Sequence, residues 1–152
     1  MLYPSELRAR QIILIAIRWA PRWTLYSERD HTMGLIHVTV SIKVPGSRDG
    51  ACEALFRVDT GATDSMVPAR ALERAGIEPV GKTTYELADG TVHEYSFGLA
   101  QIEFMGEITA GRVIFGPEDA EPLLGVTALE SVGITVDPAN RTLKRLPAIP
   151  LK

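Results

Sequence analysis

Cysteine is almost absent from this sequence. Cys52 stands alone among 152 residues, so no internal disulfide can form and nothing in cysteine usage points to an oxidising compartment. A cytoplasmic protein is the expectation. Histidine is nearly as scarce: His31, His37 and His93 have no metal-ligand spacing and no cysteine cluster beside them, which argues against a metal or other cofactor. Basic charge is not in excess either. Sixteen Lys and Arg stand against nineteen Asp and Glu, giving a net charge of −3 and no basic stripe, so the electrostatic footprint of a nucleic-acid binder is missing. The apolar run over residues 11–17 falls well short of the roughly 20 residues that span a bilayer. No internal repeat and no low-complexity segment occurs. A membrane or nucleic-acid partner is therefore not expected.

What remains is ordinary globular composition, 45% hydrophobic and 23% charged, on a chain long enough for one domain with a real core. Residues 1–32 differ from the rest. They hold both tryptophans and show little regular pattern. Arg8 and Arg10 precede the apolar run as in a signal peptide, but Arg18 cuts that run short and no small-x-small cleavage site follows. The expectation is an N-terminal extension, disordered or a short helix, with Met33-Gly34 as an alternative start. The folded domain is expected over residues 33–152.

From Leu35 the pattern is clear. Ile36, Val38, Val40, Ile42 and Val44 alternate with Leu35, His37, Thr39, Ser41 and Lys43, the period of a half-buried strand. His37 falls on the polar face and reads as a surface histidine. Residues 45–50 form a turn, and Cys52 to Val58 a second strand running into Asp59. Ser65-Met66-Val67 is a short strand, followed by a helix from Ala69 to Ala75, with Pro68 at its first position and Gly76 at its end. Thr83 to Leu87 and Thr91 to Phe104 are strands around Ala88-Asp89-Gly90, where Asp-Gly signals a hairpin. After the turn at Met105-Gly106 comes a strand over Ile108 to Phe115 and a polar loop to Pro122. Leu123-Leu124-Gly125 is a buried apolar pair with a glycine. Thr127 to Glu130 has capping-box spacing and opens a second short helix that Gly133 closes. Two last strands, Ile134 to Val136 and Thr142 to Leu146, flank Asp137-Pro-Ala-Asn140, which reads as a turn rather than a reactive carboxylate. The whole is a mainly β domain, closed or sandwiched, with one or two short helices.

The chemistry concentrates at Asp59. A strand ending in aspartate, followed by Thr60 and Gly61, puts one carboxylate in a tight loop whose amides and hydroxyls can hold it for general acid/base work. Asp-Thr-Gly is also common turn chemistry, since Asp caps its own backbone and Gly supplies positive φ. The surroundings distinguish the two. Val58-Asp59-Thr60-Gly61-Ala62-Thr63 lies upstream of a hairpin suited to be a flap, and Leu123-Leu124-Gly125 with a short helix follows. These motifs, in this order, resemble the retropepsin-like aspartic proteases and are most similar to small bacterial members, over roughly Met33 to Leu146.

The resemblance implies a closed, six-stranded acid-protease barrel with a flap hairpin, working as a homodimer on a peptide or protein substrate without cofactor or metal. One chain carries one such aspartate, so two copies would bring their Asp59 side chains together about a two-fold axis. The pair would share a proton: the ionised carboxylate takes a proton from water while its neutral partner polarises the peptide carbonyl. By the same resemblance Thr60, Gly61, Ala62 and Thr63 support the active-site loop, and Leu123, Leu124 and Gly125 pack beneath it. Val67, Leu87 and Ile114, with Ala88, Asp89 and Gly90 at the flap, are the candidate substrate contacts. The sequence departs from the retroviral pattern in carrying Val126 where an arginine follows the glycine, and in lacking a glycine-rich flap tip. Two other readings fit the same residues: a peptide-binding module of this fold with weak or no catalysis, and a structural β domain in which Asp59 caps a turn.

Overall fold

The computed structural model describes residues 35–149 and 151. The expected N-terminal extension, residues 1–32, and the alternative start at Met33 lie outside the described residues.

Among the described residues, nine strands and two helices follow the alternation of the sequence: β1 (His37–Lys43), β2 (Cys52–Asp59), β3 (Ser65–Pro68), α1 (Ala69–Arg74), β4 (Gly81–Glu86), β5 (Val92–Phe104), β6 (Glu107–Gly116), β7 (Leu123–Gly125), α2 (Val126–Ser131), β8 (Ile134–Asp137) and β9 (Thr142–Arg145). Seven strands form one sheet in the order β1-β2-β7-β3-β6-β5-β4, and a further pairing of β1 with the penultimate strand β5 closes it on itself. Ser41, Ile42 and Lys43 of β1 face Glu103, Ile102 and Gln101 of β5 across that seam. Six strands therefore close into a barrel, and β4 hangs from β5 outside the ring. β8 and β9 form a separate two-stranded hairpin.

Closure leaves the ring with no free edge and gives the inward residues a common interior. Val40 and Ile42 from β1, Phe56 from β2, Val67 from β3, Ile102 from β5, Val113 from β6 and Leu124 from β7 meet there, with Leu72 of α1 and Leu129 of α2 covering the gaps. The predicted alternation in β1 is correct in phase, but only Val40 and Ile42 are fully covered. Val44 lies past the strand's end and is exposed.

The hairpin expected around Ala88-Asp89-Gly90 forms between β4 and β5, with Gly90 N donating to Leu87 O at 2.8 Å in its turn. Tight pairing there stops at Glu86 and Val92, leaving five residues between, whereas Phe104 pairs with Glu107 around Met105-Gly106. Met105 and Gly106 have φ of 52° and 77°, the double positive φ that a tight two-residue turn requires. The capping box at Thr127 does not form. Helix α2 starts at Val126, with Gly125, two residues before Thr127, at the N-cap and no side-chain cap. Its first amides instead donate to the loop after Asp59: Val126 N to Ala62 O at 2.8 Å and Thr127 N to Thr63 O at 3.2 Å. Orphan donors at a helix start take whatever carbonyl packing brings to them.

Candidate active site

Asp59 is the last residue of β2. In parallel register with β7, Arg57 faces Leu123, Val58 faces Leu124 and Asp59 faces Gly125. Strand β7 is wedged between β2 and β3, and pairs with β3 at Leu123 and Met66. The chain leaves β2, passes through Thr60 to Asp64, and returns as β3 on the far side of β7. The loop thus encircles the end of β7 and the start of α2.

The carboxylate is held within this loop. Asp59 Oδ1 accepts a hydrogen bond from Gly61 N at 2.9 Å, and Asp59 O accepts one from Ala62 N at 3.2 Å. Gly61 is not among the positive-φ glycines. Its value lies in close approach, since a Cβ there would stand 3.2 Å from Asp59 Oδ1 and crowd the amide away from the carboxylate. Thr60 and Thr63 are exposed and Ala62 is half-buried.

Gly125 locks the loop from beneath. A Cβ there would lie 2.6 Å from the carbonyl carbon of Asp64 and 2.8 Å from Thr63 O, so two backbones meet where no side chain fits. Gly125 N donates to Ser65 Oγ at 3.0 Å in a fully buried bond. Leu124 is completely buried next to it and Leu123 half-buried. Val126, in place of the arginine, holds Ala62 through its main chain alone.

Several neighbours of Asp59 escaped the sequence reading. Arg57 lies two residues before it on the same strand face, with Nη2 3.6 Å from Asp59 Oδ2. Its Nη1 is 3.4 Å from Glu121 Oε2, and Glu121 Oε1 in turn is 2.8 Å from His37 Nε2. His37 is therefore a half-buried partner of Glu121 rather than a free surface residue. Period two along β2 is the signal that would have found Arg57. On the other flank Tyr85, from β4, donates its hydroxyl to Asp64 Oδ2 at 2.6 Å. Burial, and then the Asp64 carboxylate, push the Tyr85 phenol up to about 12.

The candidate substrate contacts separate by burial. Leu87 is exposed, as are Ala88, Asp89 and Gly90, on the connection between β4 and β5. Val67 has no exposed surface and belongs to the barrel interior. Ile114, 7% exposed, pairs with Met66 in the parallel register of β3 and β6 while Val67 pairs with Phe115, so the Ile114 and Val67 side chains lie on opposite faces of the sheet. Asp137 is consumed by its turn: Oδ1 accepts from Ala139 N and Asn140 N, and Oδ2 meets Asn140 Nδ2 and Lys144 Nζ, both at 2.8 Å. Among the described residues no three His, Cys, Asp or Glu side chains gather as metal ligands, and no helix is long and apolar enough to cross a membrane.

Among the solved structures similar to this chain are viral and bacterial proteins. EIAV protease complexed with an inhibitor is 20% identical, with a TM-score of 0.48, over 68% of this chain and 92% of that one. A retropepsin-like aspartic protease from Rickettsia conorii is 22% identical, with a TM-score of 0.43, over 66% and 76%. A foamy viral protease-reverse transcriptase is 18% identical, with a TM-score of 0.46, over 63% of this chain, which spans only 12% of that protein. No curated protein sequence matches significantly. The family model described as "gag-polyprotein putative aspartyl protease" matches residues 44–131, more than half of the chain and all of the loop around Asp59. With that match, the chain belongs to the retroviral-type, retropepsin-like aspartic protease family.

Proposed function

We propose that the protein is an aspartic endopeptidase whose catalytic unit is a homodimer, with one Asp59 from each copy. The observation that carries this reading is the setting of Asp59. Its carboxylate is at the end of a barrel strand, one oxygen held by Gly61 N and the side chain 35% exposed, in a loop fixed to Gly125 and α2. A turn-capping aspartate would need none of that support from β7 and α2, which are over 60 residues away in sequence.

A single chain supplies one such carboxylate, and the chemistry needs two. In the dimer the two Asp59 side chains share one proton and titrate as a unit. The anionic member accepts a proton from the attacking water, and the neutral member donates to the carbonyl oxygen of the scissile peptide. Thr60, Gly61, Ala62 and Thr63 support the loop, and the β4–β5 hairpin, with Leu87 and residues 88–90 at its tip, covers an extended peptide. The reaction so written requires neither cofactor nor metal. A cytoplasmic location is consistent with the single, unpaired Cys52.

The test is cleavage of a diverse peptide library, read by mass spectrometry from acid to neutral pH, with Asp59→Asn in parallel. The substitution should lower cleavage at least about 10³-fold while the fold is kept, as seen by circular dichroism. Unchanged cleavage in the variant would remove Asp59 from the mechanism. A folded, dimeric wild-type protein that bound peptides without cutting them would instead identify a binding module of the same fold.

A further inference from the structure

Strand β4 is the outer strand of the sheet and is bonded along its length only to β5, from Gly81 opposite Phe97 to Glu86 opposite Val92. Its burial alternates, with Gly81, Thr83 and Tyr85 turned towards the barrel and Lys82, Thr84 and Glu86 exposed. Each inward position has a partner. Gly81 sits against the Phe97 ring, where a Cβ would come within 2.8 Å of Phe97 Cζ. Thr83 Oγ1 accepts from Arg112 Nη1 at 3.2 Å, and the same guanidinium lies 4.2 Å over the Phe97 ring. Tyr85 gives its hydroxyl to Asp64 Oδ2 at 2.6 Å. Beyond Tyr85, residues 86 to 94 are all exposed. Tyr85 is thus the last tied residue before the free tip.

The acceptor is fixed more firmly than the donor. Asp64 follows Asp59 by five residues, and its main chain is pressed against Gly125 while Ser65 beside it takes the Gly125 amide. A short hydrogen bond to a carboxylate is among the stronger kinds. Here it joins the hairpin to the loop that carries the catalytic side chain.

We propose that the Tyr85–Asp64 hydrogen bond is a latch that sets the hairpin against the Asp59 loop, making both residues positioning residues for peptide binding. This rests on the endopeptidase reading for its effect on turnover, but the latch is a property of the single chain. With it in place, motion is confined to residues 86–92, and the arm below stays aligned with the active-site loop. Without it the first fixed point retreats to Thr83, and the hairpin spends less time in the setting that receives peptide. The apparent affinity falls in proportion to that fraction, whereas a peptide already bound at saturation reacts much as before.

The experiment uses the full chain and three variants: Tyr85→Phe, Asp64→Ala and the double substitution. Hydrogen exchange is read at the amides of Leu87, Gly90 and Thr91, all bonded within the tip, and of the barrel strands. Either single change should speed exchange in the tip by about three- to tenfold, leave the barrel strands unchanged, and gain nothing further in the double variant. For peptide cleavage, Tyr85→Phe should raise KM by a similar factor and move kcat less than about twofold. Unchanged tip exchange in Tyr85→Phe would overturn the latch, as would additive effects of the two changes or a speed-up spread equally over β1 and the barrel part of β5. Faster tip exchange in a protein that cuts no peptide would sustain the latch and refute the endopeptidase.

Discussion

Ser65 is the one buried polar side chain among the described residues, 2% exposed, and its place follows from Gly125. A glycine pressed against the Thr63–Asp64 backbone presents its own N–H to the interior, where water cannot reach it. Ser65 Oγ is the acceptor that satisfies it. Ser65→Ala leaves that donor unpaired, and a buried group without a partner costs about 1–3 kcal/mol. The variant should lose that much stability in urea unfolding at unchanged m-value, and cleavage should suffer because the loss falls on the loop of Asp59. A variant as stable as the wild type would mean that the Gly125 amide has another acceptor. At this scale the sequence discloses what is local. Asp59, Thr60 and Gly61 are adjacent, and their chemistry can be read from neighbours. Ser65 and Gly125 are separated by 60 positions and Asp64 and Tyr85 by 21, so no window of sequence contains both halves of either bond. Arg57 was within reach through strand periodicity. Glu121 was not, because only the β2–β7 pairing brings its loop beside Arg57.

Elements were legible where periodicity or turn chemistry defines them, and less so where a neighbour does. Strand β1 has a clean alternation, and which of its side chains face the interior follows. The Asp137-Pro-Ala-Asn140 turn was read correctly because its bonds stay within four residues. The N-cap of α2 was misplaced by two residues, at Thr127 rather than Gly125, since the carbonyls that receive its first amides belong to the loop after Asp59. The β8–β9 hairpin, outside the barrel, gives a prediction of its own. Lys144, then Asn140, holds the Asp137 carboxyl far below the usual carboxylate range. A depressed folded-state pKa means that the anion is favoured by folding. Its contribution is complete above the ordinary aspartate value of about 3.9 and is lost as pH falls below it. Asp137→Asn should therefore lower the melting temperature at about pH 7 and flatten its decline between about pH 5 and pH 2. Parallel curves for variant and wild type across that range would show that Asp137 is not a source of acid sensitivity. Because Lys144, the partner of Asp137, is 63% exposed, added salt should narrow the gap between the two proteins.

At the scale of the molecule, neither the closing seam between β1 and β5 nor the position of β7 between β2 and β3 could be read from the residues. Both depend on pairings across long stretches of chain, which periodicity does not encode. The proposed mechanism has its test at this scale too. Each chain presents one Asp59, 35% exposed, at the end of a barrel strand, and under that mechanism a second copy completes the carboxylate pair. Activity should then belong to dimers and not to chains. Two Asp59→Asn copies contribute no carboxylate pair, and a mixed dimer contributes one carboxylate and one amide. If subunits exchange freely, adding an equal amount of folded Asp59→Asn to wild-type protein should therefore lower total cleavage to about half, although no active chain has been removed. Dilution of the wild type alone should lower specific activity as dimers separate, with sedimentation velocity following the same transition. If excess Asp59→Asn left cleavage untouched while labelled subunits were seen to exchange, each copy would be acting alone, and the shared-carboxylate mechanism would have to be abandoned. Exchange must be measured in the same samples, since a dimer too slow to part would mimic independence.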